Sequence, residues 1–198
     1  MKVGLYFGSF NPIHNGHLII ANHVLNEADL QRIWFVVSPQ NPFKHSGTLL
    51  NEYERLHLVR SAIEGDDRIK GSDIEFTLPR PSFTASTLAY LKEKHPDHEF
   101  VIIMGSDSFQ NLVKWKNYET IISNYAILIY TRPGFEVKNS LNAKITIMKA
   151  PLLEISSTYI RELVRQNKSI KYLVPEKIEE EIQNNRFFKS NKISKDQA

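Results

Sequence analysis

Two histidines three positions apart, His14 and His17, lie in the string Gly8-Ser9-Phe10-Asn11-Pro12-Ile13-His14-Asn15-Gly16-His17, directly after a short apolar run. Each part of that string has a use in phosphate binding. Glycine lets the backbone approach a ligand closely, and the N-terminus of a following helix offers unpaired N–H groups with partial positive charge. Imidazole N–H groups donate to phosphoryl oxygens. A polyphosphate suits such a place. The plainer reading has Gly8 and Gly16 permitting the turn and Asn15 capping the helix. A zinc site would need further ligands, and none stands at a convincing spacing.

A second cluster, Ser156, Ser157, Thr158 and Arg161, opens another helical segment. One hydroxyl suffices for an N-cap, which leaves two over. Arg161 reads as a first-turn residue, where its cation faces the positive end of the helix dipole, at a cost of a few tenths of a kcal/mol unless an anion lies nearby. Ser157 and Arg161 share a face at i, i+4 spacing. No Glu or Gln stands where a capping box needs one, so an anion site explains the cluster better than capping. The alternative is a polar helix start with a solvated arginine.

These segments need a scaffold, and the apolar pattern supplies one. Residues 2–7, 33–37, 68–76, 100–104, 126–130 and 145–148 read as strands, with helical patterning between most of them. The expected helices include Thr84 to Lys94, a stretch through Trp115 to Ile122, one reaching Gln166, and a charged one from Pro175 to Asn184. Strands alternating with helices predict an α/β fold, a Rossmann-like doubly wound parallel sheet in a single domain. The domain is expected over residues 1–185 and a basic flexible tail over 186–198. In such sheets ligands bind beyond the carboxyl ends of the strands, at the reversal of strand order. The loop from Gly8, the turn Gly105-Ser106-Asp107 and the segment 155–158 are expected to line one cleft there.

Composition narrows the partners. Apolar residues make up 41% and charged residues 24% of 198 residues, which is globular. The formal charge of +3 is matched by residues 186–198, where Arg186, Lys189, Lys192 and Lys195 face only Asp196. A basic face for nucleic acid is therefore not expected. The absence of cysteine excludes disulfides, thiolate metal sites and cysteine nucleophiles. No stretch approaches the roughly 18 apolar residues of a membrane span. The expectation is a soluble, cytoplasmic protein with small-molecule partners, no membrane partner, and a homo-oligomer left open.

The run His14-Asn15-Gly16-His17 resembles the signature of the His-x-Gly-His nucleotidyltransferase superfamily, and the chain is most similar to the bacterial nicotinate-nucleotide adenylyltransferases. Ile155-Ser156-Ser157-Thr158-Tyr159-Ile160-Arg161 resembles that family's second ATP signature. The resemblance implies adenylyl transfer from ATP, accompanied by Mg²⁺, to nicotinate mononucleotide in NAD biosynthesis, without a covalent enzyme intermediate and with no metal site on the protein. His14, His17 and Arg161 would be the catalytic residues. ATP would be bound by Gly8, Ser9, Phe10, Gly16, Ser156, Ser157 and Thr158, with Gly105 and Asp107 at a ribose and Arg132 near the nucleotide. Thr84, Trp115 and Lys44 would serve the pyridine nucleotide, Trp115 by stacking on the ring.

On physical grounds alone Trp115 could equally be core packing, Lys44 a solvated lysine, and Pro79 to Leu88 only a loop and cap. The chain departs from the family pattern at Asn11 and Ser86, where Asp is usual, and at Phe83, where Tyr is usual; Ser86 can still cap a helix. Alternatives are adenylyl transfer to nicotinamide mononucleotide or phosphopantetheine, cytidylyl transfer, and a non-catalytic nucleotide sensor. His45, His57, His95 and His98 match no motif.

Overall fold

In strands, successive side chains point to opposite faces, so a fully buried strand needs apolar residues at every position. The strand β1 (Lys2–Gly8) is of this kind: Val3 and Leu5 pack on one face of a sheet and Tyr6 on the other. The strand β4 (Glu99–Gly105) repeats the pattern, with Phe100, Ile102 and Met104 opposed to Val101 and Ile103. In the computed structural model, which describes residues 1–40, 49–151 and 154–189, these two strands lie side by side at the centre of the sheet.

Among the described residues the sheet has six strands in the order β3-β2-β1-β4-β5-β6, and every pairing is parallel. The others are β2 (Arg32–Val37), β3 (Ile69–Ser72), β5 (Ala126–Tyr130) and β6 (Ile145–Met148). The chain therefore winds outward from β1 to β3, then crosses back to β4 and winds the other way. That reversal between β1 and β4 opens a crevice at the strands' carboxyl ends.

Helices cover both faces. On the face of Tyr6 lie α1 (Asn15–Glu27), α2 (Glu52–Ala62), α6 (Ser157–Arg165) and α7 (Glu176–Asn184), which bury Ala21, Val24, Leu56, Val59, Ile160, Val164, Ile178 and Ile182. On the face of Leu5 lie α3 (Thr84–Lys94), α4 (Ser106–Gln110) and α5 (Tyr118–Asn124), contributing Leu88, Leu91, Phe109 and Ile121. Full burial of each such side chain is worth about 1.5–3 kcal/mol, so each helix is held by its apolar face. Among the described residues, no helix is long and apolar enough to cross a membrane.

Two expected elements differ. The strand expected over 68–76 stops at Ser72, and Ile74–Thr77 forms a 3-10 turn that swings Glu75 beneath the sheet's carboxyl end. The helical stretch through Trp115 is broken: α4 ends at Gln110, a 3-10 turn covers Leu112–Lys114, and α5 begins only after Asn117, which takes a left-handed conformation at φ 57°. Asparagine tolerates that conformation better than most residues, which makes it a natural break. At the C-terminal end, Phe187 and Phe188 pack partly buried against the core; residues 190–198 of the expected tail lie outside the described residues.

Candidate active site

Gly8 ends β1 and Gly105 ends β4, and the loops that follow them border one cleft of about 750 Å³. That volume lies within the range of small-molecule sites. Except for Gly16 and Lys44, all the residues assigned by sequence to ATP, pyridine nucleotide or catalysis line it. Gly16 sits behind it, close to the His14 ring. Lys44 lies outside the described residues.

The two histidines form a stacked pair, with ring centroids 3.7 Å apart. His14 is the N-cap of α1, in extended conformation, so the cap expected of Asn15 falls one residue earlier. Asn15 instead ties the helix start to a distant loop, its side chain donating to the Tyr172 carbonyl at 2.7 Å and its backbone N–H to the Leu173 carbonyl at 2.9 Å. The backbone N–H of His14 donates to Nδ1 of His17 at 3.3 Å. Nδ1 of His17, accepting this bond, carries no proton, which places the ring N–H on Nε2. His14 is only 4% exposed, and burial, reinforced by the cation of Arg132, pulls its pKa down to about 3. It is neutral at physiological pH. Its Nδ1 is buried and meets no partner among the described residues.

Phe10 sits beneath the pair. Its backbone takes a left-handed conformation at φ 44°, unusual for an aromatic residue, and its ring packs edge-on against His17 at 5.0 Å and Phe35 at 5.1 Å. A Cβ on Gly8 would lie 2.8 Å from that ring, so glycine is required there for Phe10 to tuck under. At 3% exposed, Phe10 supports the loop from below more than it offers surface.

The second cluster closes on the first. Ser156 is the N-cap of α6, its Oγ accepting from the Tyr159 N–H at 3.2 Å. Helix α6 starts at Ser157, which places Arg161 one turn further along than expected, past the strongest part of the dipole. The two surplus hydroxyls have partners within the protein: Ser157 donates to the Pro12 carbonyl at 2.8 Å, and Thr158 accepts from Nη2 of Arg161 at 3.2 Å. Nη1 of Arg161 donates to the Asn11 carbonyl at 2.8 Å. Nε of Arg161 is buried with no partner among the described residues. A half-buried guanidinium thus stands between the two signatures with donor capacity to spare.

Beyond β4, a Cβ at Gly105 would lie 2.4 Å from Oδ1 of Asp107, so a larger residue there would displace that carboxylate. Asp107 faces Nε of Arg132 at 3.5 Å, and Arg132 is anchored by its backbone N–H to the Ser106 hydroxyl at 2.9 Å. Deeper in the same wall, Tyr6 and Tyr130 share a buried hydroxyl–hydroxyl bond of 3.1 Å.

The opposite end is aromatic. Trp115 is half-buried beside Phe83 and Thr84, and Nζ of Lys116 lies 4.5 Å from the centre of the Phe83 ring. Thr84 is the first residue of α3. Ser86 is exposed at the third helical position, so it does not cap the helix as expected; Phe83 occupies the N-cap.

Two functional candidates carried no signal in the sequence. Arg55 is fully buried, and its guanidinium donates to the carbonyls of Ser9 (2.7 Å), Ser38 (2.8 Å), Pro39 (3.0 Å) and Leu50 (2.9 Å). Burial lowers its pKa to about 10, so it remains charged at neutral pH. The capping box of Asn51 and Glu54 starts α2 at the point that turns Arg55 inward. The second candidate, Glu75, lines the cleft wall at 2% exposure. Only the three-dimensional position of each marks it out.

Comparison with known proteins agrees with this architecture. Residues 5–163 match the Cytidylyltransferase-like family. The chain is 51% identical to a Flavobacterium johnsoniae protein and 50% identical to one from Flavobacterium psychrophilum, each over 192 residues, 96% of this chain and 100% of the relative. Both bear the name "Probable nicotinate-nucleotide adenylyltransferase". Among solved structures, the Plasmodium falciparum nicotinic acid mononucleotide adenylyltransferase complexed with NaAD superimposes with a TM-score of 0.81 at 22% identity, over 94% of this chain and 97% of that one. That likeness speaks to the fold, while the sequence relatives speak to kinship: the chain belongs to the cytidylyltransferase-like family and, within it, to the nicotinate-nucleotide adenylyltransferases.

Proposed function

We propose that the chain transfers the adenylyl group of ATP to nicotinate mononucleotide, giving nicotinate adenine dinucleotide and pyrophosphate, a step in NAD biosynthesis in the cytoplasm. A phosphate oxygen of the mononucleotide attacks the α-phosphorus in line. The new P–O bond forms as the bond to the pyrophosphate oxygen breaks, and pyrophosphate leaves with the electron pair. The attacking oxygen is already anionic at neutral pH, so no general base is required, and positioning with charge neutralisation supplies the catalysis.

In this reading His14 and His17 donate to the phosphates from the loop of Gly8, Ser9 and Phe10, with Gly16 behind the imidazoles. Arg161, with Ser156, Ser157 and Thr158 at the start of its helix, meets the departing pyrophosphate. Gly105 and Asp107 hold a ribose, and Arg132 lies at the nucleotide. Thr84 and Trp115 receive the pyridine ring, and Lys44 serves the same substrate. Mg²⁺ bound to the triphosphate of ATP would shield its charge.

The observation that carries the reading is the clasp of Arg161 and Ser157 onto the carbonyls of Asn11 and Pro12, which makes one cleft of two phosphate-type segments. Pyrophosphate release from ATP, measured with nicotinate mononucleotide, nicotinamide mononucleotide and phosphopantetheine in turn, tests it. Turnover should be fastest with the nicotinate compound. Preference for phosphopantetheine would overturn the acceptor, and no turnover with any of the three would point to a nucleotide sensor.

A further inference from the structure

Glu75 is a buried carboxyl group without an ion-pair partner among the described residues, and the reaction above gives it no task. Burying such a group is costly unless its oxygens are satisfied. Here hydroxyls satisfy both. Oε2 accepts from the Ser82 hydroxyl at 2.7 Å, and Oε1 from the Thr87 hydroxyl at 2.8 Å. The Ser38 side chain adds a third hydroxyl contact. Burial raises the pKa of Glu75, and the three hydroxyls oppose that rise.

The bonds run to one piece of structure. Ser82 precedes Phe83 and Thr84, and Thr87 lies one turn into α3, where its hydroxyl also reaches the Phe83 carbonyl at 3.3 Å and its backbone N–H donates to the same carbonyl at 3.1 Å. The turn between Ser82 and Thr87 is thus pinned at both ends by one side chain from a different element. Helix α3 has no side-chain cap at Phe83. Trp115 and Lys116 line the same end of the cleft, Nζ of Lys116 lying over the Phe83 ring.

We propose that Glu75 is a positioning residue for the acceptor nucleotide: by gripping Ser82 with one carboxyl oxygen and Thr87 with the other, it sets the Phe83–Thr84 turn against which the pyridine ring is bound. The proposal rests on the assignment of that end of the cleft to nicotinate mononucleotide. It makes the effect of Glu75 fall first on the acceptor turn, because the ATP segments are tied by bonds of their own, Arg161 to Asn11, Ser157 to Pro12 and Arg55 to Ser9. Replacing the carboxyl by an apolar side chain strands buried hydroxyls, at a cost in stability for each that finds no other acceptor, so stability is measured beside the kinetics.

The test is steady-state kinetics of Glu75→Met and Glu75→Gln with both substrates varied, alongside their melting temperatures. Glu75→Met leaves both hydroxyls without their acceptor and should raise KM for nicotinate mononucleotide about tenfold, with KM for ATP changed by less than about twofold. Glu75→Gln retains one acceptor oxygen and can donate to the other hydroxyl, so it should restore most of the acceptor affinity. Equal rises in both KM values, no rise in either, or a Gln variant no better than Met would overturn the proposal. If Glu75→Met does not fold, Ser82→Ala should show the same acceptor-selective rise, and its failure to do so would overturn the proposal equally. Should the wild-type protein use a different acceptor, the functional reading fails, while the Glu75 proposal is still decided by KM for the acceptor actually used.

Discussion

Nη1 of Arg161 donates to the main-chain carbonyl of Asn11 at 2.8 Å, joining residues 150 positions apart. Because the bond goes to the backbone, the identity of the Asn11 side chain does not enter into it. That side chain is used elsewhere, its Oδ1 accepting from the Leu50 N–H at 3.1 Å. A carboxylate oxygen could accept the same bond, so Asn in place of the family's usual Asp keeps this structural contact.

If Arg161 meets the leaving group, Arg161→Met should lower kcat by about a hundredfold or more, and Arg161→Lys should recover only part, since an ammonium cannot span Asn11, Thr158 and a ligand together. Pyrophosphate-release rates at saturating substrate check both, and a Lys variant with full activity would refute the clasp.

His17→Ala should reduce kcat by about two to three orders of magnitude with a smaller change in KM, as for loss of a donor that acts mainly on the transition state. An unchanged kcat would remove His17 from the chemistry.

His14 makes stability depend on pH. Its folded pKa of about 3 lies below the ordinary value of 6.5, so the unfolded chain binds more protons between those limits and stability falls as pH falls through that window. The loss should reach about 2 kcal/mol between pH 7 and pH 5. Urea denaturation at the two pH values measures it, and His14→Gln should flatten the difference.

Arg55→Met strips four carbonyls of their donor, and the protein should lose about 3 kcal/mol or more of stability. Arg55→Lys should restore little, because three donors on a flexible stem do not reproduce a planar fork. Urea midpoints decide this, and a Lys variant as stable as the parent would show that charge alone suffices.

Gly105→Ala places a methyl group 2.4 Å from Oδ1 of Asp107 as it now stands, and the carboxylate must move. KM for ATP should rise about tenfold if Asp107 holds a ribose, with the melting temperature little changed. Equal KM values in mutant and parent would release Asp107 from that role.

Much of this protein is legible without coordinates. Strands such as 126–130 and 145–148 stand out as apolar runs, and the loop Gly8 to His17 concentrates residue types whose local chemistry suits phosphate. Alternation along the chain implies a parallel sheet, which in turn places that loop at the carboxyl end of a strand. Periodicity and short-range spacing carry such information because each depends only on neighbours in sequence. They also mislead where tertiary contacts override them: residues 74–77 leave the strand to bring Glu75 under the cleft, and Ser157 and Thr158, surplus as caps, bond to Pro12 and Arg161.

Arg55 and Glu75 show the limit from the other side. On a helix and a short turn, a charged side chain reads as solvent-facing, and nothing within a few residues of either says otherwise. The partners that explain them include Ser9, 46 residues from Arg55, and Ser38, far back in the sequence from Glu75. The residue types able to handle phosphate, and the sheet that carries them, were determined by the sequence alone. Which side chains turn inward to hold the loops was decided only by the tertiary structure, because a buried polar group is satisfied by whatever backbone or hydroxyl the folded chain brings to it.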